Sequence, residues 1–186
     1  TTEIYTLSLH DALPIFNVSI CGRTQATLDG TVAEIEAMGV KSLGVVADVS
    51  EVSEVKALHN GVVASLGPLD ILVNNVGGSL ARSDILGTDL DSLKATFDLN
   101  LFGGYELMRL AIPHMRGQKW GRIINIASIY GREWGGNLAY MTAKAAVIGA
   151  TKHAALSLAK DGVLVNSIAP GSISHPGGSW ERFQNE

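Results

Sequence analysis

A single cysteine, Cys21, leaves this 186-residue chain without an internal disulfide. That excludes a disulfide-stapled scaffold and fits a reducing compartment. Charge is also scarce: 17% of residues are Asp, Glu, Lys or Arg, with 14 basic against 18 acidic. The acidic excess argues against a general nucleic-acid binder. Low charge beside 46% hydrophobic residues excludes an intrinsically disordered chain. No uninterrupted apolar run reaches the ~18 residues that a membrane span needs. What the chain does have is glycine, 21 residues of it, and enough length for one domain. The composition predicts a soluble, cytoplasmic globular domain, with neither nucleic acid nor membrane among its partners.

Residues 1–15, TTEIYTLSLHDALPI, stand apart. They carry Glu3 and Asp11 but no Lys or Arg, and no Met opens them, which makes a poor secretory signal. The alternation over 4–9 is compatible with a strand. As a whole, the string resembles the in-frame translation of the universal adapter used in short-read sequencing libraries. That resemblance implies an artefactual segment, with the polypeptide proper beginning near Phe16 as one partial domain over 16–186.

From Phe16 onward, short β-rich runs alternate with helical patterns. Val18 to Cys21 reads as a strand stopped by Gly22, and Thr24 or Gln25 to Met38 as a helix with Leu28, Val32 and Ile35 on one face. Ser42 to Ala47 is the next strand. Ser50 is placed to cap a helix carrying Val55, Leu58, Val62 and Leu66, closed by Gly67-Pro68. Asp70 to Asn74 is almost wholly apolar, as expected of a parallel strand covered on both faces. Asp91 to Met115 reads as one long helix, Arg122 to Ala127 as a strand, Ala139 to Lys160 as a helix and Val163 to Ile168 as a strand. Strands separated by helices of this length predict βαβ units and an α/β fold with a doubly wound parallel sheet.

Tyr140 and Lys144 lie four residues apart in the helix starting near Ala139, and so share a face. A free tyrosine, with a pKa near ~10, is a feeble acid or base at neutral pH. An ammonium held beside it favours the phenolate. Alone, the pair also reads as an exposed Lys and a half-buried Tyr on an amphipathic helix. Ser128 follows the strand Ile123 to Ala127, at the end that opens onto the ligand crevice of a parallel sheet. A hydroxyl there can hold a substrate carbonyl while Tyr140 supplies a proton. Asn74-Asn75-Val76-Gly77 ends its own strand at the same crevice, although Asn-Asn-x-Gly also suits a plain turn.

Taken together, Asp48-Val49, Asn74-Asn75-Val76-Gly77, Asn100, Ser128, Tyr140-x-x-x-Lys144 and Asn166-Ser-Ile-Ala-Pro170-Gly171 resemble the classical short-chain dehydrogenase/reductase family, from about Val18 to Gly178. The resemblance implies a Rossmann-type sheet and hydride transfer between a nicotinamide cofactor and a small ketone or secondary alcohol, with a 3-oxoacyl thioester as one substrate class. It implies Tyr140 as the acid/base, Lys144 lowering its pKa and holding the nicotinamide ribose, and Ser128 polarising the carbonyl. Asn100 would position a water that links Lys144 to solvent. Asp48 and Val49 would contact the adenine, Asn75 the ribose side and Ile173 the carboxamide. A homodimer or homotetramer built on the two long helices and the absence of a metal belong to the same expectation.

The first strand ends Cys21-Gly22-Arg23 without the acid that usually binds the ribose 2′-hydroxyl of NAD. Arg23 is therefore a candidate clamp for the 2′-phosphate, which favours NADP(H) over NAD(H). The plain reading of Arg23 is a solvated side chain before a helix.

The sequence departs from the family at both ends. The family's first strand and its TGxxxGxG turn precede the position of Val18, and residues 1–15 do not supply them. Backbone amides of such a turn hold the pyrophosphate at a helix N-terminus. A strand over 4–9 would leave too short a connection, and one containing Pro14, for a parallel crossover of about a dozen residues. The family's first strand lies mid-sheet. Its loss removes several buried aliphatic side chains at ~1.5–3 kcal/mol each, against a usual stability of ~5–15 kcal/mol. The expectation is a sheet incomplete at both ends, in a chain that folds poorly and binds no dinucleotide tightly. After Gly171, His175 stands where the family commonly has a Thr and reads as an exposed loop residue. The alternatives are a non-catalytic fragment that keeps only helix-mediated contacts and a Rossmann-like methyltransferase. Neither a Gly-x-Ser-x-Gly elbow nor a phosphate-binding P-loop occurs.

Overall fold

The computed structural model describes residues 16–80 and 84–173. His175 and the features expected of 1–15 lie outside the described residues. Five strands alternate with helices: β1 (Val18–Gly22), α1 (Gln25–Glu36), β2 (Ser42–Val46), α2 (Val52–Leu66), β3 (Ile71–Asn74), α3 (Leu90–Phe97), α4 (Gly103–Gly117), β4 (Gly121–Ile126), α5 (Leu138–Leu158) and β5 (Val163–Ile168). Every strand pairing is parallel. The pairs form two sheets, β1-β2 and β3-β4-β5.

Strand β4 is the centre of the second sheet, and its burial alternates along the strand. Ile123 is fully buried with Leu72 on β3, Val163 and Val165 on β5, and Met108, Ala111 and Met115 on α4. A second cluster places Val55, Leu58 and Val62 of α2 with Ala47, Val49, Leu107 and Leu110, and ties the β1-β2 half to α4. On β2 the opposite face carries Gly44, where an added methyl would lie 3.1–3.2 Å from Val32 and Leu28 of α1. The first sheet thus has helices on both faces. The second has α4 and α5 on the face of Ile123 and Asn125, while Ile71, Val73, Leu164 and Ile168 are exposed.

Four sequence expectations need correction. The apolar run of β3 is covered on one side only: Leu72 is 6% exposed but Val73 is 53%. Ser50 does not cap α2. Its hydroxyl donates to Asp48 Oδ1 at 2.6 Å instead, and α2 starts after Glu51 without a side-chain cap. The long helix over 91–115 is broken by a π-helical turn at Asp98–Phe102 into α3 and α4. Asp89, two residues before the expected start, caps α3 by accepting from Ser92 N at 2.7 Å.

Candidate active site

In open parallel sheets ligands bind outside the carboxyl ends of the strands. Arg23 follows β1, Asp48 follows β2 and Asn75 follows β3; Ser128 lies two residues past β4. A cleft lined by Cys21, Val49, Asn75, Val76, Asn100 and Ile126 draws these ends together.

Ser128 leaves β4 in an extended conformation and caps a 3₁₀ turn at Ile129–Gly131, accepting from Tyr130 N at 3.2 Å. The chain then returns through Gly136, whose φ of 75° suits glycine, to start α5 at the same edge. Asn137 fixes that start. Its Oδ1 accepts from Tyr140 N at 2.8 Å, and its Nδ2 donates to Ser79 Oγ in the loop after β3. Sequence reading passed over Asn137, although an Asn directly before an apolar helical run is an N-cap signal.

The Ser128 side chain lies close enough to Tyr140 to favour its phenolate. Lys144 is 2% exposed; its Nζ donates to Ile126 O at 2.8 Å and lies 5.6 Å from the centre of the Tyr140 ring. Burial drives the Lys144 pKa down to about 8. The phenol behaves differently from the sequence expectation. Burial pushes Tyr140 above its ordinary value, Ser128 pulls it down, and Tyr130 adds a further upward push.

Asn100 sits buried in the π-helical turn. Its Oδ1 accepts from Gly78 N at 3.0 Å, and its Nδ2 donates to Gly78 O and Thr96 O, each at 2.9 Å. A methyl group on Gly77 would lie 2.6 Å from Asn100 Oδ1 and 2.8 Å from Lys144 Nζ. Both side chains therefore close on Gly77, and a side chain there would have to push Asn100 or the Lys144 ammonium aside. Behind the site, Asn74 Nδ2 donates to Asn125 Oδ1 at 2.8 Å and Asn125 Nδ2 to Thr151 Oγ1 at 2.9 Å. This buried chain sets β3, β4 and α5 in register.

A second group lies beyond β1 and β2. Arg23 Nη1 is 3.9 Å from Asp48 Oδ2, while Asp48 Oδ1 accepts from Ser50 N and Oγ. Those Ser50 bonds, foremost the hydroxyl's, hold the Asp48 carboxyl below its ordinary range. The guanidinium, 63% exposed, suits an anionic group, and the oriented carboxylate beside it suits a hydroxyl or amino donor. Val49 is buried and Asn75 half-buried on the cleft wall. Ile173 is 41% exposed, and its apolar side chain can join neither group by a hydrogen bond or ion pair. Ser128, Tyr140, Lys144 and Asn100 thus converge, and Arg23 and Asp48 form a separate pair. No glycine-rich turn of the kind that holds a pyrophosphate occurs among the described residues. No cluster of three or more His, Cys, Asp or Glu able to hold a metal is found among them either. No helix of the described residues is long and apolar enough to cross a membrane.

Known proteins match both the sequence and this geometry. The chain is 40% identical over 147 residues to the 3-oxoacyl-[acyl-carrier-protein] reductase of Staphylococcus aureus, covering 78% of this chain and 59% of that protein. It is 41% identical over 140 residues to nodulation protein G of Azospirillum brasilense, covering 74% and 56%. The chain spans about three fifths of the length of these relatives. The crystal structure of an NAD+-bound xylitol dehydrogenase superposes with a TM-score of 0.82 at 31% identity, covering 90% of this chain and 64% of that one. The sequence profile of the family described as short chain dehydrogenase matches residues 15–185, and the chain belongs to that family.

Proposed function

We propose that this chain carries the catalytic centre of an NADP(H)-dependent reductase acting on a ketone or secondary alcohol, with a 3-oxoacyl thioester as the favoured substrate class. The observation that carries the reading is the buried Lys144 5.6 Å from the centre of the Tyr140 ring, with the buried Ser128 at the same carboxyl edge of a parallel sheet. The name of the Staphylococcus aureus relative supports the thioester. The exposed Arg23 beside Asp48 supports the 2′-phosphate.

In the reductive direction, the bound nicotinamide supplies a hydride to the carbonyl carbon. Ser128 Oγ holds and polarises the carbonyl oxygen, and Tyr140 Oη donates the proton that converts the developing alkoxide to an alcohol. Tyr140 is left as phenolate, which disfavours burial without compensation; the ammonium of Lys144 supplies the opposite charge. Asn100 holds the loop at Gly78, and Ile126 O holds the lysine on the other side of Gly77; Asn100 would position the water through which the proton is replaced from solvent. Arg23 and Asp48 would hold the adenosine end, with Val49, Asn75 and Ile173 along the cofactor. We place this protein in the cytoplasm, as a homodimer or homotetramer without metal.

In the enzyme carrying this chain, Tyr140→Phe should lower kcat by at least ~10³-fold, the upper part of the range for a lost general acid, with NADPH affinity within about threefold of the original. Retained turnover, measured as NADPH oxidation at 340 nm, would overturn the assignment. A second reading, favoured by the split sheet, is a chain that keeps its helices but binds no dinucleotide. A fluorescence titration of the 186-residue chain with NADPH separates the two.

A further inference from the structure

Between Ser128 and Tyr140 the chain carries two aromatic rings with opposite surroundings. Trp134 is 93% exposed, whereas Tyr130 is half-buried. The Tyr130 ring lies against Gly135 and Gly136. A methyl group on Gly135 would meet Cε1 of the ring and lie 2.8 Å from Cδ1. One on Gly136 would lie 3.5 Å from Cδ2, on the other edge. The glycine pair thus spans the ring, and a side chain at 135 would drive the ring off. The backbone N–H of Tyr130 donates to Ser128 Oγ at 3.2 Å. Next to it, a methyl group on Gly131 would lie 2.8 Å from the Lys144 carbonyl carbon, so the turn rests on the α5 backbone at Lys144. Ile129 N donates to Pro170 O at 3.0 Å and fastens the same turn to the chain leaving β5. Beyond the glycines comes Asn137, which accepts from Tyr140 N.

On the catalytic reading of Ser128 and Tyr140, on which this rests, we propose that Tyr130 is a positioning residue for the reduction. Its ring, seated on Gly135 and Gly136, holds the Ser128 hydroxyl and the Tyr140 phenol in mutual register. A serine hydroxyl has one proton to give and two lone pairs to accept with. The Tyr130 N–H occupies one lone pair, which fixes where Oγ sits and leaves its proton free to turn to a carbonyl oxygen. Two adjacent glycines have no side chains to fix their course, so a stretch built on them alone would bend. The ring supplies the missing support and sets the path by which the chain reaches Asn137 and the first turn of α5. The Tyr130 phenol is also near enough to Tyr140 to make it hold its proton more firmly. That favours the form that donates. Tyr130 acts through Ser128 and the start of α5.

The test is made in the enzyme carrying this chain, with NADPH and the acetoacetyl thioester of N-acetylcysteamine as probes. Tyr130→Ala should lower kcat about 10²-fold, the cost of a displacement of about 1 Å, with KM for both probes within about threefold of the original. Tyr130→Phe keeps a ring on the glycines and should restore kcat to within about threefold. Gly135→Ala leaves Tyr130 in the chain but pushes its ring off, and should lower kcat by about tenfold or more with the same split. A rise in KM with kcat kept would make Tyr130 a plain contact to substrate and overturn the inference. So would a Tyr130→Phe variant as slow as Tyr130→Ala, because the ring would then not be the part that matters. If Tyr130→Ala lacks a folded near-ultraviolet signal, Gly135→Ala set against Tyr130→Phe decides by the same criteria. Tyr140→Phe is the control: turnover that survives it overturns the catalytic reading, and the role of Tyr130 with it. A silent Tyr140→Phe beside full turnover in Tyr130→Ala or Gly135→Ala overturns the role of Tyr130 alone.

Discussion

The β1-β2 half and the β3-β4-β5 half share the same βαβ wiring, but they distribute strand pairing and cover in opposite ways. The first has two strands with helices on both faces; the second has three strands with helices on one. Two strands alone are marginal, and this pair depends on α1 and α2. In the second half, β4 is paired on both sides, and Ser128, Tyr140 and Lys144 all stand on the stretch of chain that leaves its carboxyl end. The proton-handling groups are thus fixed to the best-paired strand, while Arg23 and Asp48 sit on the half with less of its own sheet. The difference separates two tasks. Proton transfer requires atoms held within a few tenths of an ångström, whereas a charged clamp works on a surface that yields.

The largest effect should come from truncating the core of each half. Ile123 is fully buried between two strands that cannot close in, so Ile123→Ala should cost about 3–5 kcal/mol, the upper range for such a cavity. Leu28 is 1% exposed under α1 on a two-stranded sheet, where the helix can settle; Leu28→Ala should cost about 2–3 kcal/mol. Urea midpoints measure both. Equal losses would mean that the two halves unfold as one body with no difference in firmness.

How much of this is legible in the residues depends on the range of the forces involved. The strands and their helices follow from local apolar periods and glycine stops, and Ser128, Tyr140 and Lys144 follow from one strand and one helix joined by a short loop. The π-helical turn does not show. Leu93, Phe97 and Leu101 recur every fourth residue, which an α-helix and a wider turn both accept. The split into β1-β2 and β3-β4-β5 agrees with the expected lack of a mid-sheet strand, but the exposure of Val73 does not show, because whether it is covered depends on strands and helices far away in the chain. Nor does the competition for the Ser50 hydroxyl, which Asp48 takes before α2 can use it. The Tyr140 pKa escapes sequence reading for a related reason. Spacing places Lys144 near the ring, but burial decides the direction.

Lys144 separates the halves further through pH. Its folded pKa of about 8 lies below the ordinary lysine value of 10.5. Between those values the unfolded chain holds a proton that the folded chain has lost, so stability rises with pH across the window. The gain by pH 10.5 should be about 3 kcal/mol, from ~1.4 kcal/mol per pKa unit. Below pH 8 the folded state carries the cost of a buried ammonium. Lys144→Met should remove this rise. Asp48 on the other half acts at the acid end: its depressed pKa contributes stability that fades as pH falls through that value. Denaturation midpoints from pH 6 to 11 test the lysine; a wild-type profile that is flat above pH 8 would place the Lys144 ammonium in contact with solvent.

Arg23 is expected to give the smallest effect and the most selective one. Its guanidinium is 63% exposed, and its ion pair with Asp48 is long at 3.9 Å, so Arg23→Ala should change stability by less than about 0.5 kcal/mol. If the guanidinium clamps a 2′-phosphate, the same variant in the enzyme carrying this chain should bind NADPH about tenfold more weakly, a loss of ~1.4 kcal/mol. NADH, which lacks that phosphate, should bind within twofold of the original. Calorimetric titration with both nucleotides gives the ratio directly. A loss shared equally by NADPH and NADH would instead assign Arg23 to orienting Asp48, whose carboxylate would then act on a part that the two nucleotides have in common.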